Sequence, residues 1–497
     1  MKTLARILVS TTLLLLAAAS SSPLFAEEPR GGNTVVVDCD GAADFTTIQA
    51  AINAAVSGDT IVIAPNDCNL QGRYFERLNL LGKSLRLQSI DPDDPAVVDD
   101  TVIDGMTGGD TITALAMPPG ATPTEIAGLT VLNGTNVFDI LNASLTLTNL
   151  VVAGSNDRGI TAEATPITRS LSIVDCVIRD TRGIGVDGYD LKIRGTQIID
   201  NDFTGLSVFD SKAEILDTNF ERNGPGGPGG GIYLIATAAT LISNCRFIAN
   251  VANIQGGGAE IAYLSGGVPA FPIVVRDCLF AGNRAFSGGG VKLWGQSVTA
   301  DHCTFVGNRA TQGPAIYVFS SGSVVTNCIC WNNRGTQSFT EPDIAANGSY
   351  VRAYNDLQFA SPFGVGNISA DPMFVDPGVW DAHGTPTQPH DDTYTLGDVH
   401  LLPGSPCINT GDPNFVPAAG ETDIDGDPRV LGCRTDMGVD EAPYQGGDFD
   451  DDGQIDLDDV GPFVDALLAG GANCMADVNQ DGFVNGADIH PFVSAML

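Results

Sequence analysis

The stretch Asp277–Gly295, DCLFAGNRAFSGGGVKLWG, decides the fold because it is one copy of a repeated unit. Asn244–Tyr263 reads NCRFIANVANIQGGGAEIAY, and His302–Ser320 reads HCTFVGNRATQGPAIYVFS. The shared order is a Cys, an apolar residue two places on, an Asn five places after the Cys, a glycine turn and an alternating strand. Cys176, Cys245, Cys278, Cys303 and Cys328 hold one place in successive units, and Thr196 and Thr218 fill two equivalent places. The intervals are 20, 22, 27, 33, 25 and 25 residues. Alternation with period two predicts strands. Recurrence on this scale predicts a solenoid, whose coils bury their apolar faces only by stacking. Asn201, Asn223, Asn250, Asn283, Asn308 and Asn333 then fall above one another at a turn, where an amide can satisfy the backbone of the next coil.

The second strand of each unit supplies the candidate site. If the residue after the turn points inward, the next points out. One outward column is then Gly185, Ser207, Tyr233, Glu260, Lys292 and Tyr317; the next is Asp187, Phe209, Ile235, Ala262, Trp294 and Phe319. A single sheet face would carry Tyr233, Trp294, Tyr317 and Phe319 beside Glu260 and Lys292. Exposed aromatics on a flat face are costly unless something covers them. A polysaccharide is one cover, its sugar rings stacking on the aromatics while Glu260 and Lys292 bond its hydroxyls or carboxylates. A long turn or the C-terminal region folding over the strip is the other. A register error of one residue would turn the strip inside out.

The chain has 497 residues and a net charge of −36, with 60 acidic and 24 basic side chains. That balance excludes nucleic acid as a partner, since phosphate binding needs clustered Lys or Arg. Residues 1–26, with Lys2 and Arg6 before an apolar run and small residues up to Ala26, read as a secretory signal. No later stretch supplies the ~20 apolar residues of a membrane span, so the expected location is secreted or cell-surface-associated. An exported chain with 11 cysteines permits disulfides. The repeated cysteines read as small inward-facing apolar groups, with disulfides between neighbours the alternative. Cys39 with Cys68, and Cys407 with Cys433, are the disulfide candidates because each pair lies in an end region.

The N-terminal segment VDCDGAADFTTIQAAINAAVSGDTIVIAPNDCNLQGRYFERLNLLGKSLRLQSI resembles the opening of right-handed parallel β-helix proteins of the pectin-lyase-like class. The resemblance implies an all-β right-handed parallel β-helix over 33–370, with a helix at about 47–55 capping its open end. That class includes lyases, hydrolases, esterases and non-enzymes, so the fold alone assigns no chemistry. Residues 371–444 resemble a region that closes secreted bacterial β-helix proteins, and are expected to form a cap and lid over the last coil. Within it, Asp423, Asp425 and Asp427 make either a calcium site or an ordered acidic turn. His383, His390 and His400 gather there too, near Asp391 and Asp392, as a solvated loop or a site.

At the C-terminus, GDFDDDGQIDLDDVGPFV and ADVNQDGFVNGADIHPFV are copies of one module, 29 residues apart. Asp448, Asp450, Asp452, Gln454, Asp456 and Asp459 occupy metal positions of a 12-residue calcium loop, as do Asp477, Asn479, Asp481, Phe483, Asn485 and Asp488. A hard Ca²⁺ ion takes six to eight oxygens, and Gly453 and Gly482 stand where the loop must turn sharply. The pair resembles a dockerin type I domain over 446–497, a small α-helical module that implies Ca²⁺ and attachment to a cohesin-like protein. The two partner-reading positions are Leu457-Asp458 and Gly486-Ala487, in place of the Ser/Thr pair of cellulosomal members.

Glycosidase-like Asn-Thr-Asp with Asp-Asp and Gly-His-Gly is missing, as is the Asp-Phe-Ile/Val-Phe-Gly segment of pectin methylesterases, so catalytic residues stay unassigned. The expected function is binding or degradation, by lyase or hydrolase chemistry, of an extracellular polysaccharide by an exported β-helix tethered through its calcium module. The alternative is a non-catalytic surface or adhesion protein whose solenoid is a protein-binding rod or spacer.

Overall fold

The computed structural model describes residues 32–67, 69–165, 169–263, 271–336, 341–359, 363–383, 392–432, 434–443, 446–449, 453–469, 474–479 and 483–497. From Thr34 to Leu357 the strands wind into three parallel sheets, each adding one strand per coil. Sheet A has 13 strands, from Thr34–Val37 to Val351–Ala353; sheet B has 12, from Arg73–Tyr74 to Asp356–Leu357; sheet C has 11, from Leu78–Asn79 to Ile344–Ala346. This is the expected right-handed parallel β-helix, the hand that parallel crossovers take. Its open N-terminal end is closed by the helix Ile48–Ala54, with Thr47 as N-cap. Ile48, Ala51 and Ile52 face the core, and the Glu76 carboxylate accepts from the Ile48 and Gln49 amides, both at 2.9 Å, at the helix's positive end.

Every coil contributes the same side chains to the same columns. Phe220, Phe247, Phe280 and Phe305 are fully buried and stack face to face, with centroids 4.9, 4.5 and 4.8 Å apart, the spacing of adjacent strands. The asparagine column is a continuous ladder. Each Nδ2 donates forward to the next Oδ1, from Asn201 to Asn223 at 2.8 Å, then to Asn250, Asn283 and Asn308 at 3.0 Å each, and to Asn333 at 2.9 Å. The same nitrogens also donate to a carbonyl of the preceding coil, as Asn283 does to Phe247 at 2.8 Å.

The cysteine column is more than apolar filling. Cys176, Cys245, Cys278, Cys303 and Cys328 each donate Sγ–H to the carbonyl two residues earlier, at 3.0–3.2 Å. Thr196 and Thr218 make the same bond through Oγ1, at 3.0 and 2.7 Å, which explains why Thr substitutes for Cys there. The residue just before this column turns the chain from sheet A to sheet B in the left-handed region, with φ of 51° at Asp175, 54° at Asn244, 52° at Asp277 and 48° at His302. Asp, Asn and His recur there because they tolerate that backbone.

Cys407 is a free buried thiol, its Sγ 3.4 Å from Asp356 Oδ2, so the expected Cys407–Cys433 bridge is not formed. Cys433 and Cys68 lie outside the described residues. No disulfide joins two described cysteines, and the expected bridge is corrected for Cys407: its thiol is free and bonds a carboxylate, as the free thiols of the core column bond carbonyls.

The region after residue 370 holds two antiparallel pairs, Phe374–Asp376 with Asp398–Leu401 and Val379–Asp381 with Thr393–Thr395. It does not merely close the last coil. Phe374, Tyr394, Leu401, Cys407, Met437 and Val439 share one core with Leu279, Ala281, Val306 and Ile329 on the outer face of sheet B. The Tyr394 ring lies where Gly282 and Gly307 leave room; a Cβ on them would stand 2.2 and 2.6 Å from it. The buried joint is polar: Arg429 lies 3.4 Å from Asp277 and 3.5 Å from Glu441, and His302 Nε2 meets Thr435 Oγ1 at 2.9 Å. The C-terminal module packs helices Val460–Ala469 and Ile489–Ala495 through Phe463 and Phe492, whose rings stack 3.9 Å apart. No helix among the described residues is long and apolar enough to cross a membrane.

Candidate functional site

Sheet C adopts the register expected from its alternation. Tyr233 pairs with Glu260, Glu260 with Lys292 and Lys292 with Tyr317, while Asp187 pairs with Phe209 and Ala262 with Trp294. The intervening Leu234, Ile261, Leu293 and Val318 are buried in the coil interior. Both predicted columns therefore face away from the core.

The columns are not evenly exposed. Tyr233, Trp294, Tyr317 and Phe319 are half-buried, but Glu260 is only 2 % and Lys292 1 % exposed. The expectation of an open Glu260 and Lys292 is corrected. Their heads form an ion pair at 2.8 Å, and Lys292 Nζ also donates to Gln255 Oε1. The ammonium sits 4.3 Å from the Trp294 ring and 5.0 Å from the Phe319 ring, whose centroids are 4.9 Å apart. Large aromatic neighbours on the same rungs thus roof the pair, and ring faces are favourable partners for a desolvated cation. Burial pulls the Lys292 pKa below its ordinary value, while the Glu260 carboxylate acts the other way. Burial raises the Tyr233 phenol, and the Glu260 charge adds to that.

Towards the N-terminal end the same face changes character. Asp139, Thr161 and Gly185 continue the Glu260 column, and Glu163 and Asp187 continue the Trp294 column. Arg158 lies flat over Gly185, where a Cβ would come within 3.0 Å of its side chain. Burial lowers the Arg158 pKa, and its Nη1 is buried without a hydrogen-bond partner. Asp139 and Asp187 are both raised, first by burial and then by neighbouring carboxylates that include Glu163. Sequence reading missed Arg158 and Gln255 because both reach the face from turns; a glycine in an otherwise side-chain-bearing column was the available signal for Arg158.

In the C-terminal module, the Asp459 carboxylate accepts from the Phe449 and Asp456 amides, and Asp488 accepts from Asn479 and Asn485 at 3.2 and 2.9 Å. Asp448 accepts from Gly453 at 2.8 Å. The two loops are thus organised alike about their last acids. Gln454, Asp477 and Phe483 lie in described parts of the loops, whereas Asp450, Asp452 and Asp481 lie outside the described residues. Elsewhere, two clusters could in principle chelate a metal ion: Asp38, Cys39 and Asp67, and His400, Asp425 and Asp440, each with its ligand atoms within 4.8 Å of one another. The histidines of the cap do not converge. His383 meets Thr393 at 3.0 Å, His400 joins the acidic turn, and His390 and Asp391 lie outside the described residues.

A family model described as "Right handed beta helix region" matches residues 120–269, 164–323 and 230–356. Metabotropic glutamate receptor-like protein R of Dictyostelium discoideum is 34 % identical over 102 residues, 20 % of this chain; the chain spans about 6 % of that relative's length. Among solved structures, pectate lyase Pel9A is similar at 14 % identity and a TM-score of 0.41, covering 83 % of this chain and 98 % of its own. The catalytic unit of a GH87 alpha-1,3-glucanase from Streptomyces thermodiastaticus strain HF3-3 is similar at 14 % identity and a TM-score of 0.42, covering 70 % of each chain. At these identities and scores the likeness assigns no activity to this chain.

Proposed function

We propose that this β-helix is an exported protein that binds an extracellular polysaccharide along the outer face of sheet C. The observation that carries the reading is the set of aromatics Tyr233, Trp294, Tyr317 and Phe319, half-buried on three of four successive rungs of sheet C, the fourth carrying Glu260. Ring faces offered side by side suit the apolar faces of sugar rings, which lose little hydration when stacked. The Glu260–Lys292 pair is closed and roofed, so it stiffens the platform and does not supply a free base. Binding without cleavage is therefore favoured over a lyase or hydrolase at this spot. Degradation has one supporting observation, the carboxylates Asp139, Glu163 and Asp187, which act on one another on the face that Arg158 also covers at Gly185.

The C-terminal module resembles a dockerin, and on this reading it binds two Ca²⁺ ions and tethers the solenoid to a cohesin-like partner. Val464, Leu468, Ile489 and Val493 of its two helices, with Leu457 just before them, are exposed apolar side chains that a partner would cover.

The test is retention of the full chain in affinity electrophoresis through gels holding neutral or anionic polysaccharides, with new reducing ends and unsaturated products followed in parallel. Retention by one polymer, weakened at least ~10-fold in Trp294→Ala and Tyr317→Ala, supports the reading. Unchanged retention in both variants, or none on any polymer, sinks it.

A further inference from the structure

We propose that His400, Asp425 and Asp440 form a binding site for a zinc-class divalent cation, separate from the calcium loops and from the sheet C face. The three come from different segments of the cap: His400 from the strand Asp398–Leu401, Asp425 from the acidic turn that follows Asp423, and Asp440 from the segment beyond it. Their candidate ligand atoms lie within 4.8 Å of one another.

Three features of the chemistry point to a cation. His400 Nδ1 is bonded to Asp398 Oδ1, which turns Nε2 towards Asp425 Oδ2 at 3.1 Å. A carboxylate behind one imidazole nitrogen and open acid oxygens before the other is the outer-shell arrangement that metal-bound histidines use. Second, Asp440 is only 6 % exposed, and its Oδ2 accepts from the Leu401 amide at 3.0 Å, which holds the carboxylate in place. A carboxylate withdrawn this far from water, beside a second carboxylate and an imidazole, favours a positive partner. Third, the positions are fixed before any ligand arrives. Asp423 Oδ1 accepts from the Asp425, Gly426 and Asp427 amides at 3.0, 2.9 and 2.8 Å, and its Oδ2 accepts from Glu441 at 3.0 Å. The Asp423 carboxylate is consumed in that turn, so the DIDGD segment is an ordered acidic turn that presents Asp425. The other Asp425 oxygen, Oδ1, faces Arg246 of the solenoid at 3.2 Å.

The donor set selects the ion. Ca²⁺ and Mg²⁺ take oxygen ligands, so an imidazole nitrogen speaks against both. One imidazole with two carboxylates suits Zn²⁺ and its first-row neighbours, with a position left for water. Bonds of about 2.0–2.1 Å in a tetrahedral site put ligand atoms about 3.3 Å apart. The 3.1 Å between His400 and Asp425 already meets that, and small rotations of exposed His400 and Asp425 bring Asp440 into range. The bound ion would tie three cap segments together and, through Arg246, to the solenoid.

The competing occupant is a proton, with His400 as an imidazolium held by Asp398 and Asp425. The experiment separates them. Full chain stripped with chelator is returned to millimolar Ca²⁺, which saturates the calcium loops, and titrated with Co²⁺ and Zn²⁺. Expected is one Co²⁺ equivalent giving the intense visible bands of a four-coordinate site, displaced by Zn²⁺ with a rise in melting temperature. His400→Ala and Asp425→Asn, both at exposed positions, should weaken binding at least ~100-fold, Asp398→Asn ~10-fold, and His383→Ala not at all. Absence of a saturable Co²⁺ signal below about 100 µM, or equal binding by wild type, His400→Ala and Asp425→Asn, overturns the proposal and leaves the proton as occupant.

Discussion

Replacing Lys292 by Met tests whether the pair beneath the aromatic strip is as closed as its geometry says. At 2.8 Å and an effective dielectric constant of 20, the attraction between Glu260 and Lys292 is about 6 kcal/mol. Withdrawing the two heads from water costs several kcal/mol each, so the intact pair adds little net stability. Removing one partner is a different matter. Lys292→Met keeps the length and apolar stem but leaves the Glu260 carboxylate, only 2 % exposed, without its cation. The expected cost is about 3–5 kcal/mol. Glu260→Gln should cost less, about 2 kcal/mol, because Lys292 keeps Gln255 and the Trp294 and Phe319 rings. The double variant Glu260→Gln with Lys292→Met should return to within about 1–2 kcal/mol of wild type, since no charge is then buried. Urea unfolding followed by circular dichroism and tryptophan fluorescence gives the four free energies, and coincidence of the two probes checks that one transition is observed. Hydrogen exchange across Ala259–Ala262 and Val291–Trp294 localises the effect. A cost below 1 kcal/mol for Lys292→Met, or additivity of the two single changes, would refute the reasoning, because both outcomes require heads that stay in water.

Other outcomes follow from the same structure. Asn283→Ala removes the acceptor of the Asn250 amide and the donor to Phe247, both buried, and should lower stability by about 2–5 kcal/mol in the same assay. Phe280→Ala opens a void between the stacked Phe247 and Phe305 rings and should cost about 3–5 kcal/mol. The cap joint should weaken as pH rises. Burial lifts the Glu441 pKa to about 8, against 4.5 unperturbed, with Asp436 raising it and Arg429 opposing, so the folded state holds a proton that the unfolded state releases. The favourable contribution is complete below pH ~4.5 and is lost as pH climbs through about 8. Exchange protection of the cap should fall between pH 6 and 9, when compared at equal intrinsic exchange, and Glu441→Gln should flatten the difference. On the calcium reading, chelator should melt the helices Val460–Ala469 and Ile489–Ala495 while leaving the β-sheet signal intact, and Asp459→Ala should reproduce part of that loss.

What the sequence disclosed was whatever repeats at fixed spacing. Alternation placed Tyr233, Glu260, Lys292 and Tyr317 in one column, and the structure pairs them in that order. The recurring Asn likewise announced its ladder. Contacts with no periodic signature stayed hidden. Burial of Lys292 depends on a turn residue, Gln255, and on two aromatics, Trp294 of its own strand and Phe319 of the next coil. Gly282 and Gly307 carry no signal of their own in the repeat, yet their missing side chains seat Tyr394 from a segment 87 residues beyond Gly307 and 112 beyond Gly282. The Asp277 place in the repeat likewise gave no hint that Arg429 would arrive from the cap to meet it. The His400 group is assembled from a strand and two separate later segments of the cap, which no spacing rule links.

The asparagine ladder has a consequence for how such a chain changes length. Its amides all point one way, so every internal rung presents the same donor upward and the same acceptor downward. A gene duplication or deletion that moves one whole coil, turn included, rejoins the ladder without an orphaned group. One that cuts a coil part-way does not. Evolution can therefore lengthen or shorten this molecule only in whole turns, each altering the reach of the outer face by about 4.8 Å.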